Sequence, residues 1–395
     1  MLPACNDNRM PDDDPIEDSS LPPVETNAPN TNYQPAFEGQ TRVSGVETET
    51  EYEISEFATG LNNPWGMANL PDGRIIVTEK GGTLRIISQS GTVSPSISGL
   101  PAVNNSGQGG LLDVAVDPDF TTNSMLYWTF SQNGSNGTAT AVAKGKLSED
   151  ESEILNPEVI YTALPEFNGT AHYGSRIVWD ASGNLFVSTG ERSSASIRGE
   201  AQSLDAALGK VLHITKNGEP VAGNPFEGQS GTLPEIYTYG HRNVQGLAIH
   251  PTTGDLWEVE LGPRGGDEVN LIVPGKNYGW PIITYGIEYS GSAIGQGITQ
   301  QKGMEQPVYY WDPVVSPSGI TFYSGSLITE WKNNLFLAAL SGQHIVRLVI
   351  EDNKVVGEER LLEGISRFRD VLEGTDGALY ALTDGSNGRI YRLAP

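Results

Sequence analysis

The sequence predicts an all-β fold, a six-bladed β-propeller of four-stranded antiparallel blades, on three observations. The first is composition: 47 glycines and 25 prolines among 395 residues, with 18% charged side chains, suit many short strands joined by tight turns. The second is a unit that recurs six times, in which an apolar pair leads into a polar turn and then into a strand rich in β-branched and aromatic residues. The third is the near absence of helical periodicity. Residues 199–208, GEAQSLDAAL, are the one stretch read either as a short helix or as an inserted loop.

The unit reads ANLPDGRIIVTEKGGTLRII from Ala68, VAVDPDFTTNSMLYWTFS from Val114 and IVWDASGNLFVSTGE from Ile177. It continues as LAIHPTTGDLWEVELG from Leu247, ITFYSGSLITEWKNNLFLAAL from Ile320 and VLEGTDGALYALTDGSNGRIYRL from Val371. Each is a hairpin with period-2 alternation around a Gly-bearing turn. A lone hairpin cannot bury both faces, and radial repetition buries them while protecting strand edges. A large β-sandwich is the competing arrangement. Residues 49–395 are therefore expected to form the propeller. Residues 1–48, acidic, proline-containing and without apolar periodicity, are expected to be a disordered tether that cannot offset its ordering entropy by burial.

A formal net charge of −25 argues against nucleic acid, whose binding needs clustered Lys and Arg. There is no apolar run long enough to span a bilayer as a helix. The single cysteine, Cys5, excludes an internal disulfide framework. It lies in MLPAC, which resembles the end of a bacterial lipobox. Either it carries a lipid anchor, with periplasmic or cell-surface localisation, or it is an accidental cysteine in a tail.

Of the five histidines, none pairs with another at zinc-ligand spacing, and there is no HExxH or Cys/His cluster. His213, His250 and His344 read as structural. His172, in the Gly-rich loop GTAHYGSR, is the candidate general base, since imidazole titrates near operating pH. Glu191, one strand later in STGER, could return to the same end of the blade and fix its tautomer. Arg367 and Arg369 in SRFRD are two apart, so in a strand they share a face. They either recognise carboxylates on a ligand or pair with neighbouring Asp and Glu. Arg242, on another repeat, is a third candidate cation. The stretch ELGPRGGDEVN suits calcium, because a Gly-Pro corner presents carbonyls and Asp267 and Glu268 add carboxylates. It could equally be a solvated loop. Gln108 lies in a glycine loop that admits close backbone approach. No phosphate loop or dinucleotide fingerprint appears, which disfavours nucleotide cofactors.

Eight stretches in order closely resemble the soluble aldose and glucose dehydrogenases that use pyrroloquinoline quinone (PQQ). They are NPWGMANLPDG, GQGGLLDVAVDPDF, HYGSR, YGHRNVQGLAIHP, ELGPRGGDEVNLI, GKNYGWP, WDPVVSPSG and RFRDVLEGTDGALY, spread from about Leu61 to Leu393. The resemblance implies PQQ- and calcium-dependent oxidation of an aldose at the anomeric carbon, with electrons passed to a soluble or membrane acceptor. It implies His172 as proton acceptor, Glu191 orienting it, and Arg242 stabilising charge on the quinone oxygen. Asn243 and Gln108 would hold cofactor or sugar, and Arg367 and Arg369 the cofactor's carboxylates. Gly262 and Pro263 carbonyls would ligate one calcium, with a second near Glu268 and Tyr278. Two positions depart from the glucose-type pattern: Ser341 stands where a lysine is expected and Asp312 where a stacking tryptophan is. Tyr309 and Trp311 would restore an aromatic wall on a one-residue shift. A non-catalytic calcium-containing binding propeller and a calcium-dependent sugar lactonase are the alternatives.

Overall fold

The computed structural model describes residues 21–325 and 327–395. After β1 (Glu53–Leu61) the chain winds through six antiparallel sheets. The first holds β2 (Pro64–Asn69), β3 (Ile75–Glu79) and β4 (Thr83–Ile87). The second holds β5 (Leu111–Val116), β6 (Met125–Asn133), β7 (Thr138–Leu147) and β8 (Ile154–Thr162). The third holds β9 (Ile177–Trp179), β10 (Leu185–Ser188), β11 (Lys210–Ile214) and β12 (Ile236–Tyr239). The fourth holds β13 (Val244–Ile249), β14 (Leu256–Glu260), β15 (Asp267–Ile272) and β16 (Tyr309–Trp311). The fifth holds β17 (Pro317–Phe322), β18 (Leu335–Ala339), β19 (His344–Glu351) and β20 (Lys354–Leu361). The sixth holds β21 (Phe368–Glu373), β22 (Leu379–Thr383) and β23 (Gly388–Ala394), and β1 completes it.

The pairing of β1 with β23, from Glu53 opposite Ala394 to Leu61 opposite Gly388, closes the ring. Six apolar clusters lie one at each blade junction: Trp128 and Ile76 between blades one and two, Trp257 and Leu337 between four and five, Met67 and Tyr380 between six and one. That ring of junctions is a propeller and excludes a sandwich. The expected four-stranded blade is incomplete in the first sheet, whose outer segment makes only the isolated bridges Leu84–Ile97 and Ile87–Val93. Pro95 lies between them and has no N–H to extend a ladder.

Strict alternation does not hold in the second strand of most blades. IIVTE in β3, LWEVE in β14, LFLAA in β18 and LYALT in β22 are buried throughout, because neighbouring blades cover both faces. The stretch at 199–208 contains one 3₁₀ turn, Arg198–Gln202, in the connection between β10 and β11.

The innermost strands meet at a buried ionic knot on the axis. Arg176 Nη1 lies 3.0 Å from Asp113 Oδ1 and 3.2 Å from Asp370 Oδ2, and its Nε donates to the Gln245 carbonyl at 2.9 Å. The carboxylates also accept backbone N–H groups, Asp113 from Ile177 at 2.9 Å and Asp370 from Met67 at 2.8 Å. Gly66 in β2 and Gly319 in β17 fit against it because any Cβ there would collide with Asp113 or Asp370. All six inner strands thus touch one network.

Residues 21–48 differ from the expected disordered tether. They lie along blades four and five and find buried polar partners that composition does not reveal. The Asp312 carboxylate accepts from the backbone and side chains of Asn30 and Thr31 at 2.8–3.0 Å. Glu25 meets Arg360 at 2.9 Å, and Gly45 bridges to Glu358. Residues 1–20, with Cys5, lie outside the described residues.

Removing the cation of the axial knot should leave two buried carboxylates uncompensated. Arg176→Met is expected to cost about 3–5 kcal/mol, seen as a lower urea midpoint; an unchanged midpoint would show that the knot does not hold the ring.

Candidate active site

At one end of the axis, above the knot, opens a cleft of about 340 Å³ to which every blade contributes. Blades one and two supply Trp65, Lys80 and Gln108; blades three and four supply Tyr173, Asn243 and Gln245. Blades five and six supply Ser316, Arg367, Arg369 and Asp384.

The loop before β9, beside the cleft, is strained. His172 has φ +50° and Ser175 +86°, in the left-handed region that non-glycine residues seldom occupy. Several groups hold it there. The His172 N–H donates to Gln108 Oε1 at 2.8 Å and the Gly174 N–H to Asn243 Oδ1 at 3.0 Å. Arg192, fully buried, donates to the carbonyls of Ala171 at 3.1 Å and Gly169 at 2.7 Å, with its guanidinium 4.0 Å over the Tyr173 ring.

His172 Nδ1 lies 2.6 Å from Glu191 Oε1. A neutral ring donating Nδ1–H to that carboxylate leaves the Nε2 lone pair unprotonated, which is the tautomer a base requires. Nε2 has no partner among the described residues and keeps contact with solvent. Burial pushes the His172 pKa below its ordinary value; the nearby Arg242 charge adds to this and Glu191 opposes it. Adjacent residues thus do two jobs: Glu191 orients the ring and Arg192 clamps the loop that carries it.

Gln108 and Asn243 spend their amide oxygens on that loop. Their amide nitrogens have no acceptor among the described residues and are free to donate to a ligand. Arg242 sends Nη1 to the Leu261 and Gly262 carbonyls, both at 2.7 Å, with its guanidinium 5.2 Å from the Trp280 ring. Nη2 has no partner among the described residues.

Arg367 and Arg369 share a face of the β21 entry, as their spacing predicts, and both line the cleft. Of the two readings left open for them, pairing with a neighbouring acid is present: each contacts Asp384 at 3.1 Å. One carboxylate cannot neutralise two guanidiniums, and Lys80, which no motif marked, adds a third cation. Burial, followed by the charge of Arg369, pushes the Lys80 pKa down. Burial opposes ionisation of Asp384, but Arg369 and Arg367 hold its pKa below the usual range. The wall therefore keeps two net positive charges.

Two expected cofactor contacts are misplaced. Tyr309 is buried in the junction of blades four and five, its hydroxyl on Glu358 at 2.7 Å, and Trp311 Nε1 donates to the same carboxylate at 3.2 Å. Asp312 turns its carboxylate to Asn30 and Thr31. Neither Tyr309 nor Asp312 lines the cleft; an alternating strand plus an acid captured by the N-terminal segment carries them away. Ser341 pairs its hydroxyl with Ser316 at 2.7 Å near the rim.

Gly262, Pro263, Glu268 and Tyr278 come together around a second, small cavity of about 10 Å³ beneath Arg242, roughly the room of one water or ion. Glu260 also faces it. Behind it lie Glu258 and His241, whose Nδ1 stands 3.8 Å from Glu258 and 3.6 Å from Glu260. Burial, then the Glu260 charge, pushes Glu258 and Glu268 well above the usual carboxylate range. His241 Nδ1, Glu258 Oε2 and Asn270 Oδ1 are buried without partners. Glu260 and Glu268 face each other across the β14–β15 ladder, an unfavourable pair unless something cationic intervenes. This oxygen-rich set fits a divalent cation. The sequence signal was the pair Glu258 and Glu260, two apart in an otherwise apolar strand.

Against this geometry, residues 61–392 match the model of the Glucose / Sorbosone dehydrogenase family. The chain belongs to that family. It is similar to the aldose sugar dehydrogenase YliI of Escherichia coli (strain K12), at 40% identity over 85% of this chain and 91% of the relative. It is also similar to quinoprotein glucose dehydrogenase B of Acinetobacter calcoaceticus, at 27% identity over 82% and 84%. Among solved structures, the PQQ-bound aldose sugar dehydrogenase of Streptomyces coelicolor superposes with a TM-score of 0.72, at 30% identity over 88% of this chain and 99% of that one.

The opposing charges around His172 give a signed expectation. Its pKa, followed by NMR, should lie below the ordinary imidazole value, fall further in Glu191→Gln and rise in Arg242→Gln. Shifts of the reverse sign would mean that the ring does not sit between these two groups.

Proposed function

We propose that this protein oxidises aldose sugars at the anomeric carbon to lactones, using PQQ and calcium and passing electrons to an external acceptor. The observation that carries the reading is the His172–Glu191 pair, with Nε2 unpaired, beside a cleft wall of net positive charge. The PQQ-bound structural neighbour and the quinoprotein relative support the choice of cofactor. The cleft suits a rigid polyanionic ring system: cations on one side, free amide donors of Gln108 and Asn243 on the other, and Trp65 in its wall.

PQQ, when bound, supplies the two-electron acceptor for the hydride that leaves C1. His172 Nε2 takes the proton of the C1 hydroxyl, so that proton and hydride leave the same carbon–oxygen unit and the already closed hemiacetal ring becomes a lactone. Glu191 keeps Nδ1–H in place and stabilises the imidazolium that results. Arg242, with Nη2 uncommitted, supplies fixed positive charge where negative charge grows on oxygen. Arg367 and Arg369 hold carboxylates by charge-assisted hydrogen bonds.

For calcium, Gly262 and Pro263 line the small cavity together with the carboxylates of Glu260 and Glu268, and such an oxygen-rich setting suits a hard cation. We assign Gly262 and Pro263 to a calcium beside the cleft, and Glu268 and Tyr278 to a second one within the buried carboxylate set. Residues 1–20 with Cys5 are proposed to anchor an exported protein at the periplasmic or outer face of a membrane, on the strength of the MLPAC sequence. A binding propeller would have no use for an oriented, unpaired base on a strained loop. A lactonase needs carboxylates ringing a central metal, whereas among the described residues the one carboxylate that lines the cleft, Asp384, is committed to two arginines.

His172→Ala should lower aldose-dependent dye reduction by at least about 10²-fold, the scale of general base catalysis, while PQQ affinity and the unfolding midpoint stay near wild type. Retention of most activity would overturn the assignment. Stripping metal with a chelator should lower the Tm, and calcium at about 100 times its Kd should restore about 2.7 kcal/mol. A Tm indifferent to chelator and calcium would remove the structural ion.

A further inference from the structure

Resting on the PQQ reading, we infer that Lys80 is a ligand-anchoring residue of the cleft, the third member of a cationic arc with Arg367 and Arg369 that fixes which end of the ligand faces His172. Lys80 follows β3 at the turn into β4, and its backbone is pinned on both sides. Its N–H donates to Asn63 O at 3.0 Å, and its carbonyl accepts from Leu111 N at 3.1 Å. Its Nζ reaches over blade two to the Gly107 carbonyl at 2.9 Å, which spends one of three donors and leaves two. Arg369 is close enough to depress the Lys80 pKa, so the two cations share one space with a single carboxylate, Asp384.

The arrangement is one-sided. Lys80, Arg367 and Arg369 come from the adjacent blades one and six, whereas His172, Asn243 and Arg242 come from blades three and four. A ligand with several carboxylates therefore lodges its anionic edge on the first arc and presents the opposite edge to His172. Ser341, where a lysine was expected, makes a hydroxyl pair with Ser316 instead. The charge missing from blade five is supplied from blade one.

The test is titration of calcium-loaded protein with PQQ, followed by tryptophan quenching, for wild type, Lys80→Met and Lys80→Arg at two salt concentrations. Lys80→Met should weaken PQQ binding about 10- to 100-fold, the range for a lost charge-assisted hydrogen bond, and reduce its salt dependence. Lys80→Arg should stay within about threefold of wild type. The His172 NMR titration should be unchanged in Lys80→Met, since a lysine that only propped up the Gly107–Gln108 turn would disturb the Gln108 bond to the His172 loop. Wild type that fails to bind PQQ would overturn the cofactor reading itself. Wild type that binds, with Lys80→Met binding equally well or with a displaced His172 titration, would overturn the role of Lys80 alone.

Discussion

The Arg176 guanidinium, shared by Asp113 and Asp370 on the axis, is the interaction on which the rest of this molecule depends. It is 4% exposed, and its two acidic partners are 2% and 3% exposed. Isolated, any of these charges would be prohibitively expensive to bury. Together they are held by backbone groups from β2, β9 and β13, so five of the six inner strands cannot shift without breaking a charge-assisted bond, and β17 packs Gly319 directly against Asp370. Burial, and for Asp113 the nearby Asp370, pushes both acids above their ordinary range, with Arg176 pulling the other way. Apolar contacts between blades tolerate sliding; a single guanidinium that must reach two carboxylates does not. The knot also floors the cleft. Arg369 and Asp370 are consecutive in β21, so alternation aims one at the ligand space and the other into the knot.

A rigid floor lets the cleft keep strain. The positive φ values at His172 and Ser175 persist because Gln108, Asn243 and Arg192, from three different connections, over-determine the loop. Glu191 then acts on a ring whose backbone cannot relax. Asp267, buried and with its pKa pushed up to about 7 by that burial, performs the same service opposite. It accepts the N–H groups of Gly262, Val315 and Ser316 at 2.7–2.8 Å and ties the wall under Arg242 to blade five.

How much of this was legible in the sequence divides along physical lines. Repeated hairpins show local turn chemistry, so the blade count was readable. Arg367 and Arg369 were readable as a same-face pair because strand geometry makes i and i+2 neighbours whatever the fold. His172 and Glu191 were readable because a glycine-rich loop and the following strand return to one end of a blade. Asp312 was not, since its partners Asn30 and Thr31 lie about 280 residues away; their pairing also orders a segment whose composition argues for disorder. Lys80 was invisible for a related reason: a turn lysine is ordinary until ring closure brings blade one beside blade six. The buried carboxylates of β14 left a trace, two glutamates in an apolar strand, whose meaning depends on Glu268 across the ladder.

The charge distribution decides how such a cleft can select a ligand. A chain with net charge −25 repels anions at long range, yet its cleft wall is positive. At physiological ionic strength the Debye length is about 8 Å, so the outer acids are screened over a few residues' distance. Lys80 and Arg369 sit where water is partly excluded and are screened far less, while Arg367 stands half exposed at the rim. Recognition of an anionic ligand must then come from contact inside the cleft rather than from steering across the surface. A neutral sugar feels neither field. The buried carboxylates beneath Arg242 complete the scheme: burial favours the neutral forms of Glu258 and Glu268, and the calcium of the proposed function would let them ionise behind the guanidinium without adding any group to the cleft.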